Sequence, residues 1–200
     1  MLHNKNRWSV LTGLSRIISK TQGRAYTYHA DLLWRLQNGD QSAWEYFVTE
    51  WGARIYSYLR YNTHSEEDAQ ALLSKILFAV VREMPKFKGE ITLATFVYKL
   101  VYYEISEYWR RHGQPDLATQ AQRLEHQVAW ETSPDAKADI HTILHQLEQP
   151  AQQTVLLRYQ AGLTIHEIAE VLDRSVESIE SLFRQIYRQF QTLLFKGTGA

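Results

Sequence analysis

The sequence predicts an all-α protein built from two small helical domains joined by a linker. Three observations carry that reading. Apolar residues recur at steps of three and four along most of the chain. Only 9 glycines and 4 prolines occur in 200 residues. Several of them, Gly39, Pro85, Gly113, Pro115 and Gly162, fall where the periodic stretches stop.

The elements follow in order. Residues 31–37 read as a short helix stopped by Asn38-Gly39. Asp40 or Ser42 caps the next, whose apolar stripe is Trp44, Phe47, Trp51, Ile55 and Leu59, ending near Tyr61. Ser65-Glu66-Glu67-Asp68 resembles a capping box and opens a third helix carrying Ala69, Leu72, Leu73, Ile76, Leu77, Val80 and Met84, which Pro85 ends. A loop over 86–90 leads to a fourth helix at about 92–111, closed by Gly113 and Pro115. These four helices are expected to bury one core over residues 29–112.

Residues 113–138 read as an acidic linker, since 114–142 hold five acids against two bases. Periodicity returns with Ile140, Ile143, Leu144 and Leu147, and Pro150 suits the start of a helix ending at Gly162. Thr164-Ile165-His166-Glu167 is a capping box for a short helix to Leu172, packed through Ile165, Ile168 and Leu172. Asp173-Arg174-Ser175 turns the chain, and Val176, Ile179, Phe183, Ile186, Phe190 and Leu193 form the buried stripe of a long last helix. Residues 139–196 thus have the pattern of a helix-turn-helix.

Composition sets the broad class. At 44% hydrophobic and 22% charged residues the chain is globular rather than disordered, and no apolar run reaches the ~18 residues of a membrane span. Absence of cysteine excludes disulfides, thiolate metal sites and a cysteine nucleophile, and fits a reducing cytoplasm. The net charge is zero, yet residues 1–28 carry Lys5, Arg7, Arg16, Lys20 and Arg24 without an acid. This basic arm lacks the apolar length and cleavage pattern of a signal peptide, and it is expected to supply charge for DNA binding.

On the last helix, 100° per residue turns Glu177, Ser181, Arg184 and Arg188 outward, with Ser178 and Gln185 flanking them. Arg174 and Ser175 sit at its N-terminus, where free N–H groups and the helix dipole favour a phosphate. Arg184 suits guanine and Gln185 adenine, whereas Glu177 and Glu180 repel phosphates unless they accept from a cytosine amino group. The same periodicity also suits a hairpin packed inside a bundle. On the fourth helix, Lys99, Tyr102, Tyr103, Ser106 and Arg110 share a face turned from Leu93, Val97 and Leu100. Tyrosines beside cations suit single strands, each stacked base contributing ~1 to 3 kcal/mol, and Lys86 and Lys88 extend the track. Tyrosines packed on another helix, with solvated cations, would give the same pattern.

Val155-Leu156-Leu157-Arg158-Tyr159, Gly162-Leu163-Thr164, Glu167-Ile168-Ala169-Glu170 and Leu172 resemble the C-terminal promoter-binding domain of extracytoplasmic-function sigma factors. Residues 36–43 with Gly39-Asp40, the run Met84-Pro85-Lys86-Phe87-Lys88-Gly89, and Tyr108-Trp109-Arg110-Arg111 resemble that family's first conserved domain. The likeness spans about 30–112 and 139–195. It implies a non-enzymatic alternative sigma factor that binds core RNA polymerase and promoter DNA, with an anti-sigma factor as a further partner and no cofactor, metal or membrane insertion. It implies polymerase docking through the third helix at Ala71, Ser74, Lys75 and Phe78. It also implies −10 recognition and melting through Lys86, Phe87, Lys88, Lys99, Tyr102, Tyr103, Ser106 and Arg110, and −35 recognition through the helix-turn-helix. Departures mark a divergent member. Ala71, Ser74 and Lys75 replace the usual carboxylate-rich docking residues, Phe96 and Tyr103 stand where tryptophan and asparagine are common, and Glu180 and Leu182 replace frequent basic residues.

Two other readings use the same residues: a regulator binding duplex DNA without polymerase, and a sigma-like decoy that binds protein only. Catalysis has little support. His141 and His145 stand four apart but lack a third zinc ligand, Glu167 belongs to a capping box, and no phosphate loop or nucleophile elbow occurs.

Overall fold

The computed structural model describes residues 25–115 and 147–196, with side chains over 31–115 and 147–189. The basic arm up to residue 24, most of the acidic linker, and His141 and His145 lie outside them. The described residues hold seven α-helices and no strand, the all-α class expected.

Helix α1 spans Ala25–Gln37. It begins earlier than the sequence suggested, so residues 25–28 belong to a helix rather than to the arm. No glycine or proline separates them from Asp31, and nothing local stops the helix before Gly39, whose φ is +73°. Helix α2, Gln41–Asn62, is capped by Asp40, whose side chain accepts from the Ala43 N–H. Asp40 also receives the Arg35 guanidinium at 2.9 Å, which ties α1 to the start of α2.

Helix α3, Glu66–Glu83, is capped by Ser65 accepting from Asp68 N–H. It ends at Glu83, and Pro85 lies within a following 3-10 turn, Met84–Lys86. Helix α4, Leu93–His112, is capped by Thr92 and stopped by Gly113 at φ +76°. Such side-chain caps each contribute ~1 kcal/mol; the sequence signalled those of Asp40 and Ser65, while the Thr92 cap is seen only in the structure.

Helix α5, Gln149–Tyr159, carries Pro150 in its first turn. It stops short of Gly162: the N–H groups of Gln160 and Ala161 both bond to Leu156 O, and Leu163 N–H reaches back to Leu157 O, with Gly162 at φ +75° between them. Helix α6, Ile165–Leu172, has the full capping box of Thr164 and Glu167. Asp173 in the left-handed region (φ 51°) then turns the chain into α7, Val176–Lys196.

The expected core residues Phe47, Ile55, Leu59, Ile76, Val80, Val97 and Ile168 are buried, as are Ile179 and Ile186 of α7; Val176 and Phe183 are half-buried. Buried side chains of both halves form one contiguous cluster. The join was not visible in the sequence. Every residue of 151–157 in α5 is buried, including Gln152, Gln153 and Thr154. The polar ones need partners there. Tyr58 of α2 donates its hydroxyl to Gln153 Oε1, and Gln153 Nε2 donates to Asn62 Oδ1 at 2.8 Å. Asn62 O also accepts from Trp109 Nε1 of α4 at 2.9 Å. Burial pushes the Tyr58 hydroxyl well above the ordinary tyrosine pKa, so it remains a donor.

Candidate nucleic-acid interface

Helix α7, the expected recognition helix, is built as its periodicity requires. Ile179 and Ile186 face the core, while Arg174, Ser175, Glu177, Ser181, Arg184, Gln185 and Arg188 are exposed and Ser178 is half-buried. Arg184 lies 3.7 Å from Glu180 on the next turn, a pair open to solvent. At the N-terminus, Ser175 Oγ already accepts from Ser178 N–H at 3.2 Å, so the serine satisfies one of the backbone donors expected to meet a phosphate. The Glu177 carboxyl is held below its ordinary value by its own backbone N–H and by the Ser175 hydroxyl. It therefore stays anionic on the outer face.

The second cluster is less uniform than the helical wheel implied. Tyr103 is exposed (63%) and stands clear on α4. Tyr102 is half-buried, packs against the core and meets Trp109 edge-on, with ring centroids 6.5 Å apart. The two adjacent tyrosines are therefore split between surface and interior, because a 100° step carries Tyr102 toward the groove filled by Trp109. Phe87 stacks on Phe96 at 4.4 Å with an interplanar angle of 20°, and its carbonyl accepts from Gln37 Nε2 at 2.6 Å. That aromatic thus fixes the loop to α1 and α4. Phe96, noted as a departure, supplies the platform.

The cations of this cluster have acidic neighbours. Lys86 Nζ is 3.1 Å from Glu83, and Lys99 Nζ is 2.9 Å from Glu170 of α6. Arg110 bonds Glu107 through two nitrogens, at 2.8 and 3.3 Å, and Arg111 approaches the same carboxylate at 3.6 Å. The guanidinium hydrogen bond from Arg110 lowers the Glu107 pKa, and Glu107 in turn raises that of Arg110. Lys88 is exposed and Ser106 half-buried beside them.

On α3, Phe78 is 69% exposed. Val81, one turn away and 49% exposed, extends an apolar strip that the sequence reading missed. The signal was the unbroken run Ile76-Leu77-Phe78-Ala79-Val80-Val81, which exceeds one buried stripe. Ala71 and Ser74 are exposed, and Ser74 Oγ bonds back to Gln70 O at 3.1 Å. Lys75 reaches across to Glu104 of α4.

Below these surfaces Tyr108 closes the end of α4. Its hydroxyl donates to Asp68 Oδ2 at 2.9 Å and accepts from His64 N–H at 3.0 Å. Among the described residues no three metal-ligating side chains come together, and no helix is long and apolar enough to cross a membrane.

Comparison with known proteins finds a family match, relatives and similar folds. The family described as "Sigma-70, region 4" matches residues 137–190, which include α5, α6 and most of α7. The chain is 23% identical over 168 residues to the RNA polymerase sigma-H factor of Pseudomonas aeruginosa, covering 76% of this chain and 87% of that protein. It is 22% identical over 169 residues to the ECF RNA polymerase sigma-E factor of Haemophilus influenzae, covering 76% and 88%. Among solved structures, CnrH in complex with the cytosolic domain of CnrY superposes with a TM-score of 0.63 at 18% identity, over 84% of this chain and 97% of that one. The sigma factor RpoE of Bartonella quintana, solved with the anti-sigma factor NepR, gives a TM-score of 0.52 at 16% identity, over 70% and 88%. The resemblance to extracytoplasmic-function sigma factors is borne out by these similarities.

Proposed function

We propose that this chain, a relative of the extracytoplasmic-function sigma factors with a sigma-70 region 4 in its C-terminal half, binds core RNA polymerase in the cytoplasm and directs it to promoters, where it helps open the start site. The observation that carries the reading is the outer face of α7. Ser181, Arg184, Gln185 and Arg188 project from a helix that follows a capping-box helix and a left-handed turn, the arrangement that places a recognition helix in the major groove. Residues 139–196 then read the −35 element through Arg174, Ser175, Glu177, Ser178, Ser181, Arg184, Gln185 and Arg188.

Residues 29–112 engage polymerase and the −10 element. Phe78 and Val81 offer the docking strip, with Ala71, Ser74 and Lys75 along its side. Tyr103 is the stacking platform for an unpaired base, and Lys86, Lys88, Lys99, Ser106 and Arg110 follow the strand. Phe87 and Tyr102 support this surface from beneath. The acidic linker, residues 113–138, joins the halves, and an anti-sigma factor is the natural inhibitory partner.

The test is run-off transcription with purified protein, core polymerase and fragmented genomic DNA from the same organism, followed by mapping of transcript 5′ ends. Protein-dependent starts that share two spaced upstream elements are the expected result. A folded protein that yields no new starts overturns the reading. The exposed carboxylates of Glu177 and Glu180 favour a second one, a protein-binding decoy. Reversing both to lysine restores DNA binding if that reading is right.

A further inference from the structure

The two halves meet where a single strand would run. Helix α6 lies along α4, and two of its carboxylates, three residues apart, point at two α4 groups seven residues apart. Thr92 Oγ1 donates to Glu167 Oε1 at 2.6 Å, and Lys99 Nζ donates to Glu170 Oε2 at 2.9 Å. Glu167 spends its other oxygen on the Thr164 N–H at 2.8 Å, so the capping box holds it rigidly in place. A hydroxyl and an ammonium spaced along one helix face are the groups that bind successive phosphates. Here each already holds a carboxylate.

We propose that α6 is a built-in competitor for the single strand, with Glu167 and Glu170 standing where phosphates would bind on the Thr92–Lys99 strip. The inference rests on the assignment of Lys99 to the strand-binding surface made above. Its consequence is a coupling: a strand on α4 and α6 on α4 exclude each other, so binding the strand shifts the chain toward a form with its halves apart, and freeing α6 raises strand affinity by the same factor.

Part of the rest of the contact, which also includes apolar side chains of the shared core, is polar. Its centre holds Tyr58, Asn62 and Gln153, polar groups that water can satisfy once the halves part, as at interfaces built to open. The Lys99–Glu170 pair is itself half-exposed, at 43% and 55% of the side chains, so an incoming phosphate can reach it and exchange with the carboxylate.

The test measures binding of a short fluorescein-labelled oligothymidylate to the full chain by anisotropy, with the wild type, Glu170→Gln, Lys99→Gln and the double variant. Glu170→Gln is expected to tighten binding about two- to fivefold, the range an exposed ion pair commands. Lys99→Gln is expected to weaken it, and Glu170→Gln to have no effect once Lys99 is gone. If Glu170→Gln changes nothing while Lys99→Gln weakens binding, the competitor is wrong and the strand-binding surface stands. A gain from Glu170→Gln that persists without Lys99 is a net-charge effect and also overturns the competitor. If Lys99→Gln binds as the wild type does, the surface assignment falls and takes the inference with it.

A second measurement reads the coupling directly. Ser57 Oγ and Gln160 Nε2 lie 3.4 Å apart across the join, and the natural chain has no cysteine. The pair Ser57→Cys and Gln160→Cys, bridged by a short bismaleimide, is expected to react several-fold more slowly with the oligonucleotide at saturation. An unchanged rate overturns the coupling.

Discussion

Lys75 of α3 is paired with Glu104 of α4 at 2.5 Å, and Glu104 is nearly buried, with 10% of its side chain exposed. Lys75, one of the departures from the pattern that the resemblance implies, therefore has a structural partner inside the protein. It neutralises an anion that the α3–α4 contact would otherwise bury alone. Lys75→Ala is expected to cost ~1 to 3 kcal/mol in urea unfolding, because Glu104 loses its cation. Exchanging the two charges, Lys75→Glu with Glu104→Lys, should recover part of that loss. Additive losses in the double variant would show that the pair is not coupled.

Phe78 has the opposite profile. It is 69% exposed, so Phe78→Ser should leave the melting temperature within about a degree, as surface changes away from packed features usually do. Its co-elution with core polymerase should fall by ~30-fold or more in affinity, the size of an aromatic anchor lost from an interface. Retention of full polymerase affinity would remove Phe78 from the docking surface.

Arg184 is exposed and has Glu180 3.7 Å away. Arg184→Ala should weaken promoter binding by ~1 to 3 kcal/mol and relax sequence preference at one −35 position, measured with holoenzyme on a randomised element. Equal loss on every sequence would make it a phosphate contact instead. Glu180→Gln should strengthen binding modestly, since it removes both a competitor for Arg184 and an anion near the backbone.

Asp40 gives the acid limb of stability. The Arg35 guanidinium, the Ser42 hydroxyl and the Ala43 N–H, in that order, hold its carboxyl well below the usual carboxylate range. A depressed folded pKa stabilises the folded state above the unfolded value near 3.8, and the contribution fades as pH falls toward the folded one. Wild type should therefore exceed Asp40→Asn in stability at neutral pH, with the gap closing below about pH 4. A gap independent of pH in urea titrations would assign the effect to the cap alone.

Gln153 joins the halves through Tyr58 and Asn62. Gln153→Ala leaves a buried hydroxyl and a buried amide short of a partner, a loss of ~1 to 3 kcal/mol. Because those groups cross the join, calorimetry should resolve the single transition into two as the halves uncouple. One sharp transition at a lower temperature would mean that the halves still unfold together.

Much of this architecture was legible because it is local. Asp40, Ser65 and Thr164 act as caps through atoms within three residues of themselves, and Gly113 stops its helix by its own φ. The outward face of α7 was legible for the same reason, since a 3.6-residue period with Ile179 and Ile186 inside leaves Arg184 and Arg188 outside. The cluster proposed to bind a single strand was only partly legible. The face read from the sequence groups Tyr102 with Tyr103, but the 100° step between them lets Tyr102 pack against Trp109, and Phe87 stacks on Phe96.

The sequence by itself determined an all-α chain, its caps and stops, the helix-turn-helix and the side of it that faces outward, because each depends on residues a few positions apart. Only the tertiary structure decided that Lys75 answers Glu104, that Gln153 is buried against Tyr58 and Asn62, and that Glu170 holds Lys99. Those pairs lie between 29 and 95 residues apart in the chain, and no periodicity encodes which distant side chain will satisfy a buried or charged group. That choice is made when helices pack, as each buried polar atom must find a partner among whatever surfaces the packing brings together.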